Sequence, residues 1–252
     1  HNKFRCRSIV SNLEYYLHFF GSFENFPRPL KRDHGSCLLS ADLERVVKPN
    51  VSFLRECGLG DCDIAKLSIS QPWMLAANPE RLQAMVSCAE GIGVSRGSGM
   101  FRQALQAVAF LSVEKITDRV DYLKSMFRWS DAEVGIDVSR APRVLVMSKD
   151  FLRSKSEFLI SEVGLEPAYI AQRPAILTLS LDGRLRPRHY IMKFLKDNGL
   201  LENDRSYYVA VVVSDNDFMK KYICPYQEAV PHLAQDYAAA CKGEVPTIFR
   251  FT

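Results

Sequence analysis

The side chains of this chain best suited to a chemical task are its arginines and lysines. Arg184-Leu185-Arg186-Pro187-Arg188 sets three guanidinium groups within five residues, with only Asp182 close by in sequence, and is the densest positive stretch in the chain. Other cations recur at intervals: Arg81, then Lys115 and Arg119, then Arg143, Lys149 and Arg153. Such groups hold phosphate oxygens by charge-assisted hydrogen bonds. A row of them follows a phosphate backbone chiefly by releasing its counterions. The same residues would also suit the solvated face of a helix, so their phase relative to the fold decides more than their number.

No other chemistry assembles from the residues. His189 stands one residue after the basic cluster, within reach of a phosphate, and the remaining histidines are isolated, with no Ser or Cys nucleophile set to pair with them. Gly91-Ile92-Gly93-Val94-Ser95-Arg96-Gly97-Ser98-Gly99 invites a phosphate-loop reading. However, no strand precedes it and no Gly-Lys-Ser/Thr ends it, so a flexible linker between units fits better. Ser214-Asp215-Asn216-Asp217 reads as a helix N-terminus rather than a pair of metal ligands. Trp73, Trp129 and Tyr190 occupy helical apolar positions and are expected in the core. The chain is read as a non-enzyme with no cofactor and no metal.

Composition agrees. The seven cysteines form no metal pattern, and the tightest pair, Cys57 and Cys62, has four residues between its members. A chain of 252 residues, 47% hydrophobic, needs no disulfide staples, so the cysteines read as buried thiols in an intracellular compartment. No apolar run approaches the ~20 residues that span a bilayer, so no membrane partner is expected. The net charge of +4 and pI near 8.6 are only mildly basic. The chain begins at His1 and is read as a fragment or processed form. A monomer is expected.

The elements that position these cations repeat. Pro72, Pro142 and Pro174 each precede an apolar run, and Ala107 stands midway between the first two in the same pattern, giving a period of 32–35 residues. Leu38-Leu39 is a degenerate earlier copy. About 20 residues after an anchor comes a helix end with Gly at the left-handed position, at Gly58, Gly93, Gly164 and Gly199. A second helix then runs to the next proline, which closes it because proline lacks an N–H and pushes its predecessor out of the helical region. Helix starts are read at Asn78-Pro79-Glu80 and at the capping box Ser130 to Glu133. The β-branched run Tyr207 to Val213 has no partner strand and is assigned to a buried helix. Each of Pro72, Pro142 and Pro174 is expected to open a short third helix, in at least five stacked units.

This anchor resembles the repeat of the mitochondrial transcription termination factor (mTERF) family. The last third is similar to its land-plant branch, in Arg184 to Arg188, Leu195, Gly199-Leu200, Ser214, Phe218, Tyr222, Tyr226 and Val230-Pro231-His232-Leu233. The resemblance implies an all-α, right-handed helical-repeat solenoid. Residues 1–35 are then an unassigned N-terminal segment, where Leu13, Tyr16, Leu17 and Phe20 have helical spacing, and 36–252 the repeat domain. It further implies binding of double-stranded DNA in organelle transcription, or of RNA in splicing or ribosome assembly. The mitochondrion is the expected location, with the chloroplast as alternative. Stacked repeats leave a long concave surface, where Arg81, Lys115, Arg119, Arg143, Lys149, Arg153, Arg184, Arg186 and Arg188 are the expected nucleic-acid contacts. A protein-interaction scaffold is the third reading.

Overall fold

Asp42, Asn78, Ser112, Ser148, Ser180 and Ser214 recur every 32–36 residues, and each turns a side-chain oxygen onto a backbone N–H two or three residues ahead. That bond satisfies one of the donors a helix start leaves orphaned, so each of these residues begins the first helix of a repeat. In this computed structural model the described residues are 2–20, 36–202 and 205–244, with the side chains of 2–8, 18 and 20 left aside. They contain no strand, and the fold is the all-α helical-repeat solenoid. Of the expected N-terminal segment, Asn2–Phe20 is a helix (α1). Residues 21–35 and 245–252 lie outside the described residues.

The chain forms two compact units, His1–Tyr122 with Val138–Val146, and Leu123–Asp137 with Met147–Thr252. The first contains α1, α2 (Ser36–Ser40), a π-turn Leu43–Val47 running into α3 (Lys48–Glu56), α4 (Asp61–Ser70), α5 (Pro79–Gly91) and α6 (Phe101–Val108). Helices α7 (Val113–Phe127) and α8 (Asp131–Arg140) contribute residues to both units. The second contains α9 (Lys149–Glu157), α10 (Pro167–Ala171), α11 (Ala175–Thr178), α12 (Arg186–Asp197), α13 (Tyr207–Val212), α14 (Asp215–Phe218) and α15 (Leu233–Cys241). Its core gathers Ile191, Met192, Leu195, Ala210, Phe218, Tyr222, Ile223, Leu233 and Tyr237. Each large apolar side chain so buried stabilises the fold by roughly 1.5–3 kcal/mol.

The three prolines act as expected. Pro72 and Pro142 open the 3-10 turns Pro72–Met74 and Pro142–Val146, and Pro174 caps α11. Gln71, forced out of the helical region by the following proline, adopts φ −142 and ψ 72. Ala107 keeps its N–H, so α6 runs through the anchor position and ends only at Val108. The run Tyr207 to Val213 is helical up to Val212, with Ala210 and Val211 buried. The Gly91–Gly99 segment is a packed turn rather than a slack linker. Gly97 donates its N–H to the Cys57 carbonyl at 3.0 Å, and a Cβ on Gly58 would stand 2.6 Å from the Gly97 Cα.

A buried donor closes four of the repeats. In the first unit Asn12 Nδ2 donates to the carbonyls of Leu38, Leu39 and Ala41 at 3.1, 3.0 and 2.8 Å, and Asn50 Nδ2 to those of Leu75 and Ala77 at 2.9 and 2.8 Å. In the second, Lys155 Nζ donates to the carbonyls of Leu177 and Leu179. Arg188 Nη1 donates to those of Ala210 and Val213, both at 2.8 Å. All four donors are buried, and each reaches from a first helix to the carbonyls that the short third helix leaves unpaired.

Gly58, Gly93, Gly164 and Gly199 sit at φ +86, +86, +77 and +69, the left-handed helix ends expected of them. Thirty-five residues beyond Gly93 the same place is held by Arg128 at φ 56, the only non-glycine residue with positive φ among those described. Trp129 N–H still closes on the Lys124 carbonyl at 3.0 Å, as Val94 does on Ala89 at 3.2 Å. Arg128 therefore carries a strain that glycine would not. Replacing it, Arg128→Gly, is expected to raise stability by about 0.5–1 kcal/mol, read as a melting temperature about 1–4 °C higher. An unchanged or lowered melting temperature would contradict the strain.

Candidate nucleic-acid interface

The repeated helix starts share more than their caps. Two residues after the cap stands an acid, Glu44, Glu80 and Glu114, and one residue later a cation, Arg45, Arg81 and Lys115. The acid suits the positive end of the helix dipole. Hydrogen bonds from its own N–H and from Ser112 hold Glu114 below the usual carboxylate range. The cation opposes that dipole, so it is not there for the helix. Arg45, Arg81 and Lys115 are all exposed, at one place in three successive repeats of the first unit. Arg45 was not among the residues expected from sequence. The periodic caps, rather than the prolines, are the signal that finds it.

Of the other expected contacts in the first unit, Arg143 is exposed on the turn after Pro142, flanked by buried Pro142 and Val144, and Arg119 is half-buried on α7. In the second unit Lys149 and Arg153 are exposed on the first turns of α9. The densest stretch behaves otherwise. Arg184 is 26% exposed and ion-paired to Asp215 at 3.1 Å. Arg186 lies 3.7 Å from Asp182, with its guanidinium 5.5 Å from the Phe158 ring centre. Arg188 is wholly buried. Besides the α13 carbonyls it meets the Tyr237 hydroxyl at 3.3 Å, the Asp215 carboxylate and the face of Phe218 at 4.5 Å.

Arg188 is thus a correction to the sequence reading. It cannot meet a phosphate, because every face of its guanidinium is committed to the protein. Three arginines in five residues are not three available charges, since the first turn of a helix sends alternate residues to opposite sides and position 188 faces the core. His189 departs from expectation too. It lies between the rings of Phe158 and Tyr207, at 5.6 and 5.7 Å. Burial first, then Lys193 and Lys196, pushes its pKa down to about 4, so it is neutral at physiological pH. Trp129 is buried and its indole donates to the Pro167 carbonyl at 2.8 Å. Trp73 is only half-buried; Arg81 covers its ring at 4.4 Å and Phe110 stands 6.1 Å away.

Two further buried groups titrate abnormally. Lys155 is pushed down to about 8 by burial. Asp137, on α8, is fully buried with neither carboxylate oxygen hydrogen-bonded, and burial pushes it up to about 8. With no exposed surface, neither can serve a substrate as acid or base. Among the described residues no three His, Cys, Asp or Glu side chains converge as metal ligands, and no helix is long and apolar enough to cross a membrane.

Comparison with known proteins follows the fold. The family model described as mTERF matches residues 3–219. The chain is 27% identical over 152 residues to the chloroplastic transcription termination factor MTERF8 of Arabidopsis thaliana, covering 60% of this chain and 30% of that protein. It is 26% identical over 199 residues to the mitochondrial transcription termination factor 3 of Drosophila melanogaster, covering 64% and 56%. With the mitochondrial transcription termination factor MTERF15 of Arabidopsis thaliana it shares 25% over 194 residues, covering 76% and 42%. The chain therefore spans from 30% to 56% of these relatives' length.

Two outcomes follow from the buried charges. Arg188→Leu leaves the Ala210 and Val213 carbonyls without their donor and Asp215 with Arg184 alone. It is expected to cost about 3 kcal/mol or more, whereas Arg153→Ala moves stability by only about 0.5 kcal/mol. Thermal melts of the two variants distinguish a buried role from a surface one. For Asp137 the unfolded carboxyl ionises near its ordinary 3.8 and the folded one near 8. The native state then holds a proton that the unfolded state has lost, and stability falls as pH rises between those values. Asp137→Asn, uncharged throughout, is expected to melt above the parent at pH 8, with the gap closing toward pH 4. A gap independent of pH would assign the effect to packing.

Proposed function

Because the chain belongs to the mTERF family, we propose that it is an organelle nucleic-acid-binding factor of the transcription-termination type, with double-stranded DNA as its ligand. The observation that carries the reading is the recurrence of Arg45, Arg81 and Lys115 at one exposed position of three successive first helices, against the preference of the helix dipole. Lys149, Arg153 and Arg143 extend the set, and Arg119, Arg184 and Arg186 contribute less because they are partly covered. The cations bind phosphates and set register; they carry no base specificity. The protein acts as a monomer, without catalysis or cofactor. The mitochondrion is its place of action, as for two of the three relatives compared; the chloroplast is the alternative.

The test is a salt titration of binding to a DNA duplex, with single-stranded and duplex RNA as competitors. The logarithm of affinity against the logarithm of salt is expected to slope by about −0.9 for each phosphate neutralised. Arg45→Ala, Arg81→Ala and Lys115→Ala should each weaken binding to all duplex sequences alike and flatten the slope by roughly one unit. Melting temperatures should barely move. A duplex affinity that ignores salt, or slopes that these variants leave intact, would remove the interface.

A further inference from the structure

His189, Lys193 and Lys196 stand four and three residues apart along α12, on one face of the helix. With Val163, Asp197 and Tyr207 among the other walls, they line a cavity of about 220 Å3 that lies wholly within the second unit. The imidazole is half-buried between the rings of Phe158 and Tyr207. Among the described residues it makes no hydrogen bond, and neither of its nitrogens is sealed from solvent. Its neighbours in the wall are occupied. The Tyr207 hydroxyl donates to the Leu185 carbonyl at 2.8 Å, and Lys196 Nζ to that of Arg205 at 3.2 Å. A phenylalanine would fill the space between two rings without desolvating a polar group. Packing alone therefore does not account for a histidine here.

We propose that this cavity binds a small phosphomonoester, whose phosphate takes donors from His189, Lys193 and Lys196. None of its residues belongs to the duplex interface described above. Both ammonium groups lie close enough to press the imidazole toward its neutral form, which keeps one N–H to donate. A phosphomonoester carries nearly two negative charges at neutral pH, against one for a backbone phosphodiester. Set between two lysines, that second charge relieves their mutual repulsion. Lysine is a point-charge donor and follows a phosphate oxygen without demanding a planar fork. The space equals that of about seven waters, below the roughly 300 Å3 at which ordinary ligand pockets begin. That suits a terminal phosphate on a short carbon chain better than one joined on both sides. Asp197, the one carboxylate among the lining residues, suits a hydroxyl on that chain. The phosphate belongs either to a free metabolite or to the 5′ end of a nucleic-acid strand.

The whole chain is titrated calorimetrically, in phosphate-free buffer, with glycerol 3-phosphate and with glycerol as the uncharged control. Saturable binding of the ester and none of glycerol is expected. Lys193→Ala removes an exposed ammonium and should weaken the ester about tenfold or more, as loss of a charged hydrogen bond does. His189→Phe keeps a ring between Phe158 and Tyr207 while removing the nitrogens, and a comparable loss is expected. Circular-dichroism melts check the fold of both. Lys193→Ala, at an exposed position, carries the test alone if the ring exchange disturbs the fold. Matched oligonucleotides with a 5′-phosphate or a 5′-hydroxyl identify the source. A preference for the phosphorylated end that either variant abolishes makes the strand end a ligand. Equal binding of the two ends, with the ester still saturable, makes the ligand a free metabolite. No saturable ester binding together with no preference between the ends overturns the site. So does an ester affinity or end preference that a folded variant leaves unchanged.

Discussion

A short third helix ends on carbonyl groups that have no intrahelical partner, and in four repeats the fold is arranged around supplying them with a buried donor. A helix of four or five residues cannot satisfy its own end. An unpaired carbonyl in the interior costs about as much as a hydrogen bond contributes, often more. The donor comes from a first helix, as Asn12, Asn50, Lys155 or Arg188. The amides meet this need without charge. The two cations meet it at the cost of desolvation, which is why burial lowers the pKa of Lys155 and why Arg188 keeps the carboxylate of Asp215 at its edge.

That requirement explains why the basic residues fall into two populations. Cations one turn into a first helix, such as Arg45, Arg81 and Lys115, are exposed to solvent. Cations two turns in point at the third-helix carbonyls and belong to the interior. Arg184, Arg186 and Arg188 straddle the division, and charge density along the sequence does not separate them. Only the helix geometry does, because a shift of two residues turns a side chain by more than half a circle.

The prolines, the glycine helix ends and the helical character of Tyr207 to Val212 were legible in the sequence, since each depends on backbone preferences local to a few residues. The buried role of Arg188 was not, because its partners lie 22–25 residues away. The recurring caps at Asp42, Ser112, Ser148 and Ser180 passed unread for another reason: serine and aspartate are common, and only their phase marks them. Trp73 was assigned to the core from its apolar spacing, yet the first turn after a proline is short and leaves it half-buried beneath Arg81. Asp137 gave no signal, as a carboxylate on a helix is ordinarily exposed.

The buried donors reach on to the next short helix, and at Asn50 and Lys155 they pass over a second helix, α4 or α10, on the way. The separation they bridge runs from 22 residues at Lys155 to 29 at Asn12. What lies between can therefore lengthen, shorten or change its ending without disturbing the bond that closes the repeat. Insertions and deletions in the middle helix become nearly silent mutations, while a single change of donor is not. An array built this way drifts in period as it diverges yet stays in one architecture, and its ancestry is better traced through a handful of buried polar positions than through the spacing of its prolines.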